Sequence, residues 1–293
     1  MALALRKFRL ATLVFLLLPA LAWAGPWEPA GPFGGNTRDV IQDPTGDRLY
    51  AATLTGGVYL STDHGATWTQ RSTGLVFDLS IQGYKPISGL AVDPSDGRVY
   101  AVGGTSMNVS LNQGWSWTQL TNPAGPLGEF LGILVDAANP QRLLVHNARS
   151  VFVSTNRGQS WTGAAGISEP VVWCLERAAS QPAILYAAAG YQPKLFRSSD
   201  TAATFSLVAA LPGAKCLDLA VDPADANRLV VSMDTGCFES ADGGASWTPL
   251  SGTIAESVHK IVYTGAHPLL VGRGGLYAYS ASQSAYERLG DFY

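Results

Sequence analysis

Ser240–Trp247 reads S-A-D-G-G-A-S-W, and its frame, Ser-x-Asp/Asn-x-Gly-x-Ser/Thr-Trp, recurs along the chain. It stands as S-T-D-H-G-A-T-W at Ser61–Trp68, S-L-N-Q-G-W-S-W at Ser110–Trp117 and S-T-N-R-G-Q-S-W at Ser154–Trp161. An eroded copy, S-S-D-T-A-A-T-F at Ser198–Phe205, has Ala202 in place of the glycine and Phe205 in place of the tryptophan. The closing aromatics lie 49, 44, 44 and 42 residues apart, and a further 39 residues reach Tyr286, which ends Y-S-A-S-Q-S-A-Y. A near-constant period of this length marks an array of supersecondary units that bury their apolar faces against one another.

The chemistry of the octapeptide is that of a turn. The side chains of Asp63, Asn112, Asn156, Asp200 and Asp242 are suited to accept backbone N–H groups two residues on. Gly65, Gly114, Gly158 and Gly244 suit a positive φ that other residues resist. Trp68, Trp117, Trp161, Phe205 and Trp247 then open the next strand, where a large ring packs well; each is expected to be buried between its own unit and a neighbour. Because the same atoms recur in every unit, these acidic residues read as scaffold rather than as catalytic carboxylates. The octapeptide resembles the Asp-box, or BNR repeat, found in sialidases, sortilin-type receptors, photosystem II assembly factors and exported bacterial β-propellers. That resemblance covers nearly the whole chain after residue 24, and it implies propeller blades while leaving the ligand open.

Each unit repeats one order: an apolar strand ending near Asp-Pro, a turn, a second strand, a Gly-rich turn, a third strand, the octapeptide and a fourth strand. I-S-G-L-A-V-D-P (Ile87–Pro94), R-V-Y-A-V (Arg98–Val102), M-N-V-S (Met107–Ser110) and S-W-T-Q-L (Ser116–Leu120) show it in the second unit. Four short strands per unit predict an all-β fold, a single six-bladed β-propeller of four-stranded antiparallel blades over residues 25–293. W-E-P-A-G (Trp27–Gly31) reads as a spare fourth strand that competes with Y-E-R-L (Tyr286–Leu289) for the outer place in the last blade.

Residues 1–24 read as a cleavable signal peptide. Arg6, Lys7 and Arg9 precede an apolar run, and Ala22-Trp23-Ala24 fits a small-x-small cleavage site. Export to a periplasm or the medium is the expectation, with no membrane span in the mature chain. Cleavage there removes three of the 19 Lys+Arg and leaves the 22 Asp+Glu, so the mature chain is acidic and carries no basic stripe for nucleic acid. Cys174 and Cys216 occupy equivalent places in successive units, where buried free thiols are favoured over a disulfide; Cys237 lies two strands from Cys216, beyond disulfide reach.

The repeating turns fall on one face of such a propeller, and the second-to-third turns with the blade-to-blade crossings fall on the other. In propellers of the kind this chain resembles, ligands meet the second face, and the resemblance implies the same here. That face carries Arg38, Tyr84, Lys85, Glu129, Phe130, Arg149, Glu169, Tyr191, Lys194, Lys215, His259 and Arg273, of which Arg38, Tyr84, Lys85, Glu129, Arg149, Tyr191 and Arg273 form the candidate binding set. The crossing Ser72–Pro86 is the longest loop and the best place to expect function. His64, His146, His259 and His267 share no metal-binding spacing, and no cofactor or metal is expected.

The favoured function is a non-catalytic, monomeric scaffold that binds an envelope or extracellular protein, or a glycan. The alternative is an exo-sialidase-like glycoside hydrolase, which needs an arginine triad, an acid/base Asp and a Tyr–Glu nucleophile. Arg38, Arg149 and Arg273 are the arginines available for the triad. The stretch N-T-R-D-V-I (Asn36–Ile41) holds Arg38 without the Phe/Tyr-Arg-Ile-Pro surroundings of that family, and no clear Tyr–Glu pair accompanies it.

Overall fold

The computed structural model describes residues 31–291 except 33–35, 123–128, 251, 253, 255–256, 264 and 273–274. The leader expected at 1–24, most of the strand expected at Trp27–Gly31, and Arg273 lie outside the described residues. The chain is all-β: six four-stranded antiparallel sheets, the blades of a six-bladed propeller, with no helix among the described residues. Accordingly, no helix there is long and apolar enough to cross a membrane.

The blades fall into two compact units, the first ending at Thr162 and the second beginning at Gly163. Blade 1 is Thr37–Gln42, Leu49–Thr53, Val58–Ser61 and Thr69–Gln70; blade 2 is Gly89–Val92, Val99–Gly103, Ser106–Ser110 and Thr118–Gln119. Blade 3 is Phe130–Val135, Leu143–Asn147, Val151–Ser154 and Thr162–Gly163. In the second unit, blade 4 is Val172–Arg177, Leu185–Ala189, Lys194–Ser198 and Ser206–Ala210. Blade 5 is Cys216–Val221, Leu229–Met233, Gly236–Ser240 and Thr248–Pro249, and blade 6 is Val258–Tyr263, Pro268–Gly272, Gly275–Ser280 and Ala285–Asp291. Y-E-R-L therefore supplies the fourth strand of blade 6.

Burial explains the composition of these strands. The second strands of blades 1 to 5, such as Leu49–Thr53 and Leu185–Ala189, are buried along their whole length. They are mostly apolar because both faces are covered, with Thr53, His146, Asn147 and Ser232 as buried polar residues. The two-residue fourth strands of blades 1, 2, 3 and 5 are exposed and mostly polar. Adjacent blades share cores: Ile41, Tyr50, Val58 and Leu60 pack with Leu90, Val99 and Trp117 in the first unit. In the second, Tyr186, Leu195 and Cys174 pack with Cys216, Leu219, Leu229 and Val231.

Two further devices tie blade to blade within each unit. Asp39 Oδ2 accepts the Leu90 N–H at 2.9 Å, and Asp218 Oδ2 accepts the Ile261 N–H at 2.8 Å while Oδ1 meets Lys260 Nζ. Gly74, Gly166 and Gly252, each at positive φ after a fourth strand, lie against the backbone of Trp117, Phe205 and Tyr286, the aromatics that close the next turn. Side chains at these glycines would strike those carbonyl oxygens, so close backbone approach fixes them as glycine.

The octapeptide folds as a turn held from both ends, but not by the bond expected. The side-chain oxygen Oδ1 of Asp63, Asn112, Asn156, Asp200 and Asp242 accepts the N–H four residues on, not two, at 2.8–2.9 Å. The N–H two residues beyond the leading serine goes to that serine's Oγ, which also accepts the N–H of the glycine position. Two successive residues take positive φ, not one: His64-Gly65, Gln113-Gly114, Arg157-Gly158, Thr201-Ala202 and Gly243-Gly244. The closing rings are also less uniform than expected. Trp117 and Phe205 are buried, whereas Trp68, Trp161 and Trp247 are half-buried.

In the three acidic copies Oδ2 also accepts the Ser/Thr hydroxyl at 2.5 Å, and this array of donors holds Asp63, Asp200 and Asp242 at a pKa of about 2. A carboxylate depressed in the folded state contributes stability that is present above its unfolded value of 3.8 and is lost as pH falls toward about 2. Asn112 and Asn156 keep the acceptor and reverse the second bond, donating Nδ2 to Ser116 and Ser160. Replacing all three aspartates by Asn should therefore cost little at pH 7 and flatten the fall in thermal midpoint between pH 4 and pH 2. An equally steep fall in the triple variant would refute this role.

Candidate functional site

The first-to-second turns on the same side as the octapeptides are also scaffold. Asp43, Asp136 and Asp222 are buried and pair with Arg48, Arg142 and Arg228 at 3.0–3.4 Å, the arginine that opens the second strand. Buried carboxylates with a guanidinium and backbone donors are satisfied structural groups. Asp93 differs: Ser95 bonds its Oδ1, while its buried Oδ2 stands 3.4 and 3.9 Å from Arg157 and Arg98 without a hydrogen bond.

At the opposite ends of the first unit's blades lie Arg38, Tyr84, Lys85, Glu129 and Arg149. The expected long loop Ser72–Pro86 instead contains a fifth element beside blade 1, a two-stranded hairpin of Phe77–Asp78 and Gly83–Tyr84. Leu75 is buried beneath it, and the Tyr84 N–H donates to the Thr55 carbonyl at 2.8 Å. Tyr84 meets Phe77 edge-on at 5.3 Å, and Gly83 sits so close to Thr55 that a Cβ would collide with its carbonyl oxygen. Ser80 donates N–H and Oγ to Asp78, closing the tip. Anchored this way, the hairpin presents Val76, Phe77, Leu79 and Ile81 to solvent at 38, 50, 84 and 48% exposure. Four exposed large apolar side chains within six residues form a patch of the kind that marks a contact surface.

The geometry gathers part of the expected set around this hairpin. The Leu54 N–H donates to the Asn36 carbonyl, so the second-to-third turn of blade 1 has Arg38 on one flank and Tyr84-Lys85 on the other. Arg38 is exposed because it is the extra residue of a β-bulge between Thr37 and Asp39. Bulges of this type re-aim side chains. Glu129 and Arg149 are exposed at the blade 2 and blade 3 turns, but Phe130, expected on the rim, is fully buried as the opening residue of blade 3. Its N–H donates to the Gly104 carbonyl, drawing the ring into the core.

In the second unit Tyr191 stands exposed, as do Lys215 and His259, the latter in the bulge of blade 6. Glu169 and Lys194 are not free rim charges: they pair at 2.6 Å. Cys174 and Cys216 are buried with their sulfurs 3.9 Å apart, and all three cysteines are free thiols. The hydrogen bond to Cys216 and burial hold the Cys174 thiol well above its ordinary range, and burial pushes Cys237 up to about 12. Tyr50 is likewise pushed to about 12 by burial. Displaced groups of this kind are candidates for chemistry where they line a cleft; here they lie in cores and turns.

No protein-family model matches the sequence, and no curated protein matches it. Solved structures do. An ancestral GH74 enzyme superposes with a TM-score of 0.68 at 18% identity over 92% of this chain, which spans 40% of that enzyme's length. YCF48 bound to D1 peptide superposes at 0.71 and 16% identity, covering 92% of this chain and 86% of that one. YCF48 from Cyanidioschyzon merolae gives 0.71 and 13%, covering 90% and 88%. Likeness at such identities establishes the propeller fold.

Proposed function

We propose that this chain is an exported, non-catalytic propeller that holds a protein partner, with the Phe77–Tyr84 hairpin as its main contact. The exposure of Val76, Phe77, Leu79 and Ile81 on an element that is itself firmly anchored carries this reading. Apolar side chains held rigidly in water lose little further conformational freedom on binding, and so suit recognition. Arg38 and Lys85 beside the hairpin supply a polar rim. The Asp-box-like turns and the leader-like first 24 residues support an exported scaffold of the sialidase and assembly-factor type, and peptide binding by YCF48 is in keeping with a protein partner.

Pull-down from an envelope fraction tests the proposal, comparing the wild type with Leu79→Asp/Ile81→Asp. Loss of one captured partner at an unchanged thermal midpoint is the expected result, since surface changes usually move stability by less than about 0.5 kcal/mol. Turnover of a fluorogenic sialoside that disappears in Arg38→Ala would replace this reading with the glycosidase one. Retention on a glycan array would assign the hairpin to a sugar instead.

A further inference from the structure

The second octapeptide departs from the other four at its second and sixth positions, both exposed. Where those have Thr62, Thr155, Ser199 and Ala241, it has Leu111; where they have Ala66, Gln159, Ala203 and Ala245, it has Trp115. Both side chains are exposed, Leu111 at 72% and Trp115 at 59%. Neither serves the turn, whose bonds run through Ser110, Asn112 and Ser116 and whose buried ring is Trp117. The repeats act as an internal control, showing that the turn forms equally with small or polar residues at both places.

Arg71 completes the feature. Its guanidinium carbon lies 3.5 Å from the centroid of a Trp115 ring, a cation–π stack. The Arg71 carbonyl accepts from Trp117 Nε1 at 2.7 Å, and its Cβ and Cγ pack toward Gly114, so the chain fixes where the cation stands. Among the described residues Arg71 makes no ion pair. Arg157, in the third octapeptide, is tied to Asp93 and Asp96 at 3.4 and 3.2 Å. The second octapeptide also carries Asn112 where the first, fourth and fifth carry Asp, so its turn brings no carboxylate to Arg71.

We infer that Arg71, Leu111 and Trp115 form a contact site for an acidic protein segment, in which a carboxylate pairs with Arg71 and a neighbouring apolar side chain covers Leu111 and the exposed part of Trp115. Charge complementarity selects the carboxylate, because a fixed guanidinium without a counter-charge gives a strong, directed bond to one. Leu111 selects a protein over a sugar, since an aliphatic surface offers nothing to hydroxyl groups. The pairing of Trp with Arg at one exposed point also matches the composition of binding hot spots. The inference rests on the reading of the chain as a protein-binding scaffold, but places a contact apart from the hairpin.

The test uses the whole mature chain and an array of decapeptides in which Leu or Phe alternates with Asp or Glu, beside copies with Asn/Gln for the acids and copies with Ser for the apolar residues. Fluorescence polarisation of the best acidic peptide should show binding at least tenfold tighter than its Asn/Gln copy, and weaker as salt rises. Leu111→Thr/Trp115→Ala, which restores residues found in other octapeptides, and Arg71→Gln should each lose at least tenfold at an unchanged unfolding midpoint. Asn112→Asp should weaken binding severalfold, and Leu79→Asp/Ile81→Asp should not alter it. The site is refuted if acidic and neutral peptides bind alike, if no peptide binds, if a carboxylated sugar outcompetes every peptide, or if Leu111→Thr/Trp115→Ala binds as wild type. Peptide binding that instead disappears in the hairpin variant would refute this site while leaving the scaffold reading intact.

Discussion

Trp117→Ala should be the most damaging of the aromatic truncations, losing about 3–5 kcal/mol, the range for removing a buried aromatic side chain from a core. Trp117 is 5% exposed, lies in the core shared by blades 1 and 2, and donates Nε1 to Arg71 and its N–H to Thr73. Truncation empties the ring's site and leaves the Arg71 carbonyl without its donor. Trp161 is half-buried and donates Nε1 only to Gly158 within its own turn, so Trp161→Ala should cost clearly less. Urea unfolding of both variants checks the ordering. For a domain whose whole stability is of order 5–15 kcal/mol, the first loses a large share of it and should show clearly the lower midpoint. Equal midpoints for the two variants would mean that burial does not set the contribution of these rings.

Gly166→Ala should be comparably severe although it adds a single methyl group. A Cβ there would sit 1.9 Å from the Phe205 carbonyl oxygen, at a φ of +95° that an L side chain resists. Relief requires parting the bridge in which Ala165 donates to Ala203 and accepts from Phe205. The backbone conformation alone contributes about 1–2 kcal/mol, and two parted hydrogen bonds about 1 kcal/mol each, for a loss of roughly 3–4 kcal/mol. Gly97→Ala is the matched control, because Gly97 also has positive φ but nothing lies within 4 Å of its Cβ position. Thermal unfolding should separate the two by about 2 kcal/mol, the two hydrogen bonds that only Gly166→Ala parts. Hydrogen exchange at the Phe205 amide should accelerate only in Gly166→Ala.

The difference between those glycines shows where local reading of the chain stops. Ser240–Trp247 and its copies disclose the blades because a turn is settled by residues within eight positions, and V-H-K-I-V-Y or Y-E-R-L declares a strand from its own pattern. Gly166 gives no such sign. Its constraint is a carbonyl oxygen 39 positions away, just as the partner of Asp39 is the Leu90 amide and that of Glu169 is Lys194. Phe130 was expected on the rim for the same reason, since only its bond to Gly104 shows that it opens an inner strand.

The candidate site was legible in position but not in form. Ser72–Pro86 stands out by length, but nothing in the sequence shows that Tyr84 would hydrogen-bond to Thr55 and so lie with Lys85 beside the blade 1 turn. The hairpin itself was missed because two-residue strands offer almost no periodicity; V-F-D-L-S-I-Q-G-Y carries a faint alternation and a Q-G turn that in retrospect mark it. Exposure of Val76, Phe77, Leu79 and Ile81 is a property of the packing beneath them, which composition does not carry.

Photo-cross-linking from single positions of the full chain, in the envelope fraction, bears most directly on the claim that the third and fifth octapeptide turns are scaffold and the hairpin is the main contact. A benzophenone side chain at position 79 should trap one discrete protein, and the yield should fall when unlabelled wild type is added. The same group at Thr155 or Ala241, equally exposed on octapeptide turns, should trap nothing above background. Trapping from positions 155 and 241 with silence from position 79 would contradict the account and move the partner to the repeating turns.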